Sequence, residues 1–345
     1  MLITLAAAVA TLLLTGLARQ LALAHALLDL PNERSLHAAP VPRGGGLAIV
    51  AVTLAGTAAL GGAGWLPLRT TVALLGGGAL VAGVGWLDDR RSLPVATRLA
   101  AHLAAALWAL GWLDGLPVLA VGEGVVCLGV FGSVLATIAI VWAINVTNFM
   151  DGIDGLAAGE TTTVALTAAL LIGGAAPDLA AAAALTGGAA LGFLPWNWRP
   201  ARIFMGDTGS GFLGYTLAVL ALASERAGAM PVLVWLLLYA MFAADATITI
   251  IRRIWRGEQW YTAHRSHAYQ RLVQAGWSHA SVTGAILLVN VALGVLAWRV
   301  MARPGLLGPV LATVAAGCVL GYLLVEHRHP MVAGPRRARV ENRAG

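Results

Sequence analysis

Asp88 and Asp89 stand side by side in WLDDRRSL, Asp151 and Asp154 lie three apart in NVTNFMDGIDGL, and Asp207 sits in FMGDTGSG. The chain holds only 16 acidic residues in 345, yet these five all fall at the ends of apolar runs. Carboxylates gathered at one surface repel one another unless a divalent cation or cationic side chains offset their charge. Oxygen ligands suit Mg2+ or Mn2+, and Mg2+ takes one or two carboxylates and completes its shell with substrate phosphates. A phosphate-bearing substrate follows. Asn145, Asn148, Asp151 and Asp154 recur every three residues, so a helix there would line all four along one side; a polar helix end is the alternative. Asp88 and Asp89, facing Arg90 and Arg91, also read as a charge cluster that ends a span.

His264 and His267 share a segment with Arg252, Arg253, Arg256, Arg265 and Arg271. That density of cations suits a nucleotide pyrophosphate, and zinc is the alternative ligand for the His pair. Arg43 precedes Gly44, Gly45 and Gly46, which either let backbone approach a ligand or start a helix. Basic residues without aromatic interleaving give no nucleic-acid surface.

These residues need elements to carry them. Apolar residues make up 59% of the chain and charged residues 11%, against about 25% charged in soluble domains, and the mean hydropathy is +0.80. A span needs roughly 20 apolar residues to cross about 30 Å of hydrocarbon. Such segments fall near 2–18, 46–65, 69–87, 97–116, 126–146, 160–176, 179–195, 211–224, 230–251, 281–298 and 305–325. The fold expected is an all-α integral membrane protein of about 10–11 transmembrane helices. Residues 1–325 form one polytopic catalytic domain and 326–345 a basic, disordered tail.

All 22 basic residues are Arg. With the N-terminus outside, only Arg69, Arg226, Arg299 and Arg303 face outward, which the positive-inside rule favours. Every polar island, including LPNERSLHAAPVPRGGG at 30–46, then falls on the cytoplasmic side. The N-terminus is expected in the periplasm, the C-terminus and active site in the cytoplasm.

The islands, in this order, resemble the polyprenyl-phosphate N-acetylhexosamine-1-phosphate transferase family, which initiates peptidoglycan, O-antigen and teichoic-acid lipid intermediates. The likeness runs from about Leu30 to Leu272, and its most specific parts are PNERSLHAAPVPRGGG, the Asp88–Asp89 pair, NFMDGIDGLAAG and FMGDTGS. It implies a bacterial inner-membrane enzyme that passes a sugar 1-phosphate from a UDP-N-acetylhexosamine to polyprenyl phosphate, with Mg2+ (or Mn2+) as cofactor. Asp207 would be the principal metal ligand, joined by Asn148 and Asp151. Asp88 and Asp89, with Asp151 and Asp154, would serve catalysis; Arg43, Asn145, Asn148, His264, Arg265 and His267 would bind substrate. Where the family often carries a third acid after the pair, this chain has Arg91 and Ser92. HRSHAYQRL resembles the O-antigen-initiating branch more than the peptidoglycan branch. The bilayer is a further partner, and a homodimer stays open. A flippase or transporter of phosphorylated lipid is the rival class; it would want polar residues at the midplane and on inverted repeats.

Overall fold

The computed structural model describes residues 1–29, 39–259 and 264–331. It is an all-α integral membrane protein. The helices are α1 Leu2–Ala24, α2 Gly46–Gly62, α3 Leu68–Arg91, α4 Val95–Leu113, α5 Gly129–Met150, α6 Leu156–Ile172, α7 Pro177–Asn197 and α8 Asp207–Arg226, followed by α9 Val232–Leu238, α10 Ala240–Trp255, α11 Ala268–Gln274, α12 His279–Ala302 and α13 Leu307–Arg328. Each expected span has its helix, the ninth as a pair, α9 and α10, bent by 82° at Tyr239. Among the described residues, six helices are long and apolar enough to cross a membrane, or seven with that pair as one span.

α8 is the central post. It is buried nearly throughout from Thr208 to Ser224 and packs against α3 and α5. Lipid gives no hydrophobic drive to helix association, so close van der Waals approach has to supply it. Small residues allow that approach: a Cβ on Gly85 of α3 would stand 2.5 Å from the Asp207 carbonyl, and one on Gly214 would stand 2.4 Å from that of Ala143 in α5. The same contacts set the height of Asp207 against the ends of α3 and α5. Apolar side chains on α1 and α13, such as Leu13 and Leu320, face outward, as lipid-facing helices require.

Three sequence expectations change, and the triple glycine takes the helix-start alternative. The fifth span starts at Gly129, because Val118–Val121 and Gly124–Cys127 pair as an antiparallel hairpin. α5 stops at Met150, so Asp151 and Asp154 leave the helical row that would have aligned them with Asn145 and Asn148. The triple glycine faces protein backbone: the amides of Gly45 and Gly46 donate to the Phe204 and Met205 carbonyls at 2.9 and 3.0 Å, and α2 begins there. The first residues of the tail expected from Glu326 are part of the fold, since α13 runs to Arg328 and Met331 is buried. The remaining tail, 332–345, and positions 30–38 of the PNERSLHA motif lie outside the described residues.

Candidate active site

α3, α5 and α8 end within reach of one another at one end of the bundle, and the acids sit on those ends. Asp89 accepts the amides of Asp207 at 2.9 Å and Thr208 at 3.1 Å, and the Thr208 hydroxyl at 2.7 Å. It therefore caps α8 from another helix, placing negative charge where the first-turn amides are unpaired. Asp88, one residue earlier, turns the other way. Its carboxylate takes the Leu93 amide at 2.5 Å and Arg98 at 2.8 Å. Ser92 adopts a left-handed conformation and Pro94 is the N-cap of α4, so the chain reverses at once and lays Arg98 over Asp88. Arg98 also stands 3.7 Å from Asp207.

The side chains of Asp88 and Asp89 are only 8% exposed, whereas Asp207 keeps 33%. Asp207 is thus the acid open to a ligand. Asp88 and Asn148 stand beside it, and the Asn148 amide donates to Ser210 at 3.1 Å. Asp151 follows the last residue of α5. Burial, then the charges of Asp207 and Asp89, hold its carboxyl well above the usual range, with Arg43 pulling the other way. Arg43 lies 3.9 Å from Asp89 and 3.7 Å from Asp29, placed by a bridge to Phe204.

Two expected site residues are engaged elsewhere. Asp154 takes the Ala201 amide at 3.1 Å and pairs with His279 at 3.2 Å, so both oxygens tie the loop after α7 to α12. Asn145 donates to its own helix at Val141 and faces His102 of α4 at 3.3 Å, away from the Asn148 contact with α8.

The His segment is seated by Asp245 of α10, which accepts the amides of Ala268 and Tyr269 at 2.8 and 3.0 Å and pairs with His267 at 3.4 Å. His264 and His267 have ring centroids 4.9 Å apart. Burial, then His267 and Arg253, hold His264 down to about 3, against a smaller opposing effect of Asp245. Tyr269 donates to the Phe149 carbonyl at 2.9 Å and so joins this segment to the acid cluster. The expected arginine cluster is mostly spent on protein partners: Arg253 pairs with Glu258 at 3.0 Å, and Arg252, Arg256 and Arg271 all pair with Glu326. Arg265 stays on the loop, its carbonyl accepting Gln274.

Among the described residues no group of three His, Cys, Asp or Glu side chains could hold a metal ion. What fits a cation is the sparse set of Asp207, Asp151 and the Asn148 amide, mutually repelling acids with few protein ligands, as Mg2+ uses when phosphates complete its shell. Beside it opens a cavity of about 410 Å3 walled by Leu17 and Leu21 of α1, Leu47 and Ala51 of α2, and Trp86 of α3. Arg43, Arg90, Asp89 and Thr208 also line it. Sequence reasoning missed Arg98, Ser210, Asp245 and Glu326. Arg98 alone left a signal, an Arg one turn into a helix that starts just after an acid pair.

The glycosyl transferase family 4 model matches residues 71–225, a stretch that includes all five acids but neither Arg43 nor the His segment. A decaprenyl-phosphate N-acetylglucosaminephosphotransferase of Mycobacterium tuberculosis (strain ATCC 25618 / H37Rv) is 33% identical over 86% of this chain and 80% of its own. A probable undecaprenyl-phosphate N-acetylglucosaminyl 1-phosphate transferase of Bacillus subtilis (strain 168) is 30% identical over 81% and 78%. A phospho-N-acetylmuramoyl-pentapeptide-transferase of Microcystis aeruginosa is 33% identical over 51% and 50%.

Proposed function

The chain belongs to glycosyl transferase family 4, and on that premise we propose that it moves N-acetylglucosamine 1-phosphate from UDP-N-acetylglucosamine to a polyprenyl phosphate and releases UMP. The observation that carries this reading is the meeting, at one end of the bundle, of an open carboxylate, a shared arginine, a His segment and an apolar trough. Relatives named for N-acetylglucosamine phosphate transfer match most of the chain, whereas the muramoyl-pentapeptide relative matches half, which favours the simpler sugar. Clustering at helix ends, and not at the midplane, speaks against a transporter.

In this reading an acceptor phosphate oxygen attacks the β-phosphorus of the donor, and the bond to the UMP oxygen breaks with its electron pair leaving on UMP. A phosphate monoester has its second pKa near about 6, so at neutral pH the nucleophile is mainly dianionic and needs no strong base. Asp88 is held by the Leu93 amide and Arg98, so its part is to aim Arg98. Arg98, between Asp88 and Asp207, meets phosphate charge. The trough is apolar along α1 and α2 and cationic at Arg43 and Arg90, which suits a prenyl phosphate. His264 and Arg265 hold the nucleotide end. Mg2+ (or Mn2+), held by Asp207 with Asp151 and Asn148, would neutralise charge on the pyrophosphate. The site faces the cytoplasm of a bacterial inner membrane, with the N-terminus periplasmic and the C-terminus cytoplasmic, and the product starts a cell-surface glycan such as O-antigen.

The test is UMP release by the purified protein with undecaprenyl phosphate, Mg2+ and a panel of UDP-sugars. UMP release with UDP-N-acetylglucosamine that depends on the acceptor supports the reading; none with any donor sinks it.

A further inference from the structure

Glu326 lies two residues before the end of α13, beyond every motif and outside residues 71–225. Its carboxylate gathers three arginines from two other elements. Oε1 meets Arg252 at 2.8 Å and Arg256 at 3.7 Å, at the end of α10, and Oε2 meets Arg271 of α11. The chain just past α13 adds to the clasp: the carbonyls of His329 and Met331 accept Arg271 and Arg256, each at 2.9 Å. Tyr322, one turn earlier, lies under the Arg271 and Arg252 guanidinium groups at 5.0 and 5.9 Å.

One carboxylate among three guanidinium groups cannot be dispensed with lightly, because its loss leaves three like charges together, the Arg271 guanidinium buried and those of Arg252 and Arg256 part-exposed. α11 depends on it. Seven residues do not make a stable helix alone, and α11 is pinned at its N-terminus by Asp245 and at its last turn by Glu326 through Arg271. Between those pins Tyr269 reaches the Phe149 carbonyl, and a Cβ on Gly152 would come within 2.1 Å of its hydroxyl. α11 thus stands between the C-terminal helix and the Asn148–Asp151 segment, in contact with both, with His267 as its N-cap.

We propose that Glu326 is a positioning residue for the transfer reaction: it docks α11 so that the His264–His267 segment is held at a fixed place relative to Asp151. The kinetic part of this inference rests on the proposed phosphosugar transfer. The clasp itself does not.

The full chain in nanodiscs is compared with Glu326→Gln, Glu326→Asp and Arg271→Gln. Amide exchange should rise in residues 264–274 and 149–153 for Glu326→Gln and Arg271→Gln, while α8 stays protected and Glu326→Asp stays nearer the wild type. Donor KM should rise about tenfold while acceptor KM changes by less than about twofold. The double variant should be no worse than the poorer single one, because both break one link. Unchanged exchange in both segments, or a uniform rise over the whole protein, overturns the clasp. Equal losses toward donor and acceptor overturn the positioning role. If the wild type releases no UMP, the transferase reading fails, and the exchange result still decides the clasp. Should Glu326→Gln not accumulate, Arg271→Gln reads the same link from its partner.

Discussion

Asp89→Asn separates a capping acid from a chemical one. Asp89 accepts three hydrogen bonds at the start of α8 from a side chain that is 8% exposed. Asn keeps one acceptor oxygen and turns an NH2 toward the other donors, so most of that cap is lost. A lost N-cap costs about 1 kcal/mol, and a buried donor left unpaired costs about 1–3 kcal/mol; the sum, after local relaxation, is about 2 kcal/mol. The Arg43 contact at 3.9 Å adds little, since Arg43 is 38% exposed. The melting temperature should fall by roughly 3–6 °C. Because Asp207 is the first residue of α8, its carboxylate moves with the freed turn, and a displacement near 1 Å costs about 10²-fold in turnover. Gly206→Ala tests the same joint without changing charge: its Cβ would stand 2.6 Å from Asp89 Oδ2, at a φ of +75° that a side chain resists. Both variants should lose stability and kcat together in a UMP-release assay paired with thermal melts in nanodiscs. If Asp89→Asn abolishes turnover at the wild-type melting temperature and Gly206→Ala behaves as wild type, the capping argument is wrong and Asp89 acts on the substrate.

Asp207→Asn should reduce turnover about 10²-fold or more while the protein stays folded, and EDTA should silence the wild type; full turnover in excess EDTA would remove the metal from the mechanism. Ala51→Trp fills the trough and should raise acceptor KM about tenfold with donor KM unchanged, whereas Leu288→Trp, on the exposed face of α12, should do neither. Burial holds His264 down to about 3 against 6.5 in its ordinary state, so the unfolded segment binds more protons between those values. Its stability is therefore full above pH 6.5 and lost as pH falls below it. Exchange of residues 264–274, corrected for intrinsic rate, should rise from pH 7 to pH 5, and His264→Gln should flatten that rise.

Hydropathy made the spans legible because lipid demands an unbroken apolar run whatever the neighbours are, so even the weak, Ala-rich segments of α6 and α7 could be placed. The 82° break at Tyr239 was not legible, since the run 230–251 stays apolar through the bend and no Pro or Gly marks it. Asp207, Asn148 and Asp151 were singled out because polar residues at the ends of apolar runs stand out, and the structure brings them to one end of the bundle. Their neighbours Asp89 and Asp154 were found for the same reason and given chemical roles, although one caps α8 and the other bridges to α12. Residue type and spacing cannot tell an acid that binds a ligand from one that pairs a helix end. Glu326 escaped because its three partners are 55 to 74 residues away in sequence, and a single acid before an Arg-rich end reads as the edge of a tail.

On the proposed reading, a need for cationic side chains and a divalent ion follows from what α8 does with its own N-terminus. A free helix N-terminus is a ready anion site, with unpaired amides and the positive end of the dipole turned outward. Here the Asp207 and Thr208 amides are already taken by Asp89, so α8 has little left to offer a phosphate and adds the Asp207 carboxylate at the same spot. Nor does α5 help, since it arrives by its C-terminus and carries Asp151 just beyond it. A donor pyrophosphate entering this end of the bundle would meet net negative charge from both helices. Arg98 and the trough's Arg43 and Arg90 are cationic side chains at this end, and Arg98 is already shared with Asp88 and Asp207. The arrangement is repulsive toward phosphate until a cation sits between the acids and the substrate, and that is why turnover, on the proposed reading, should track the divalent ion more steeply than any single arginine.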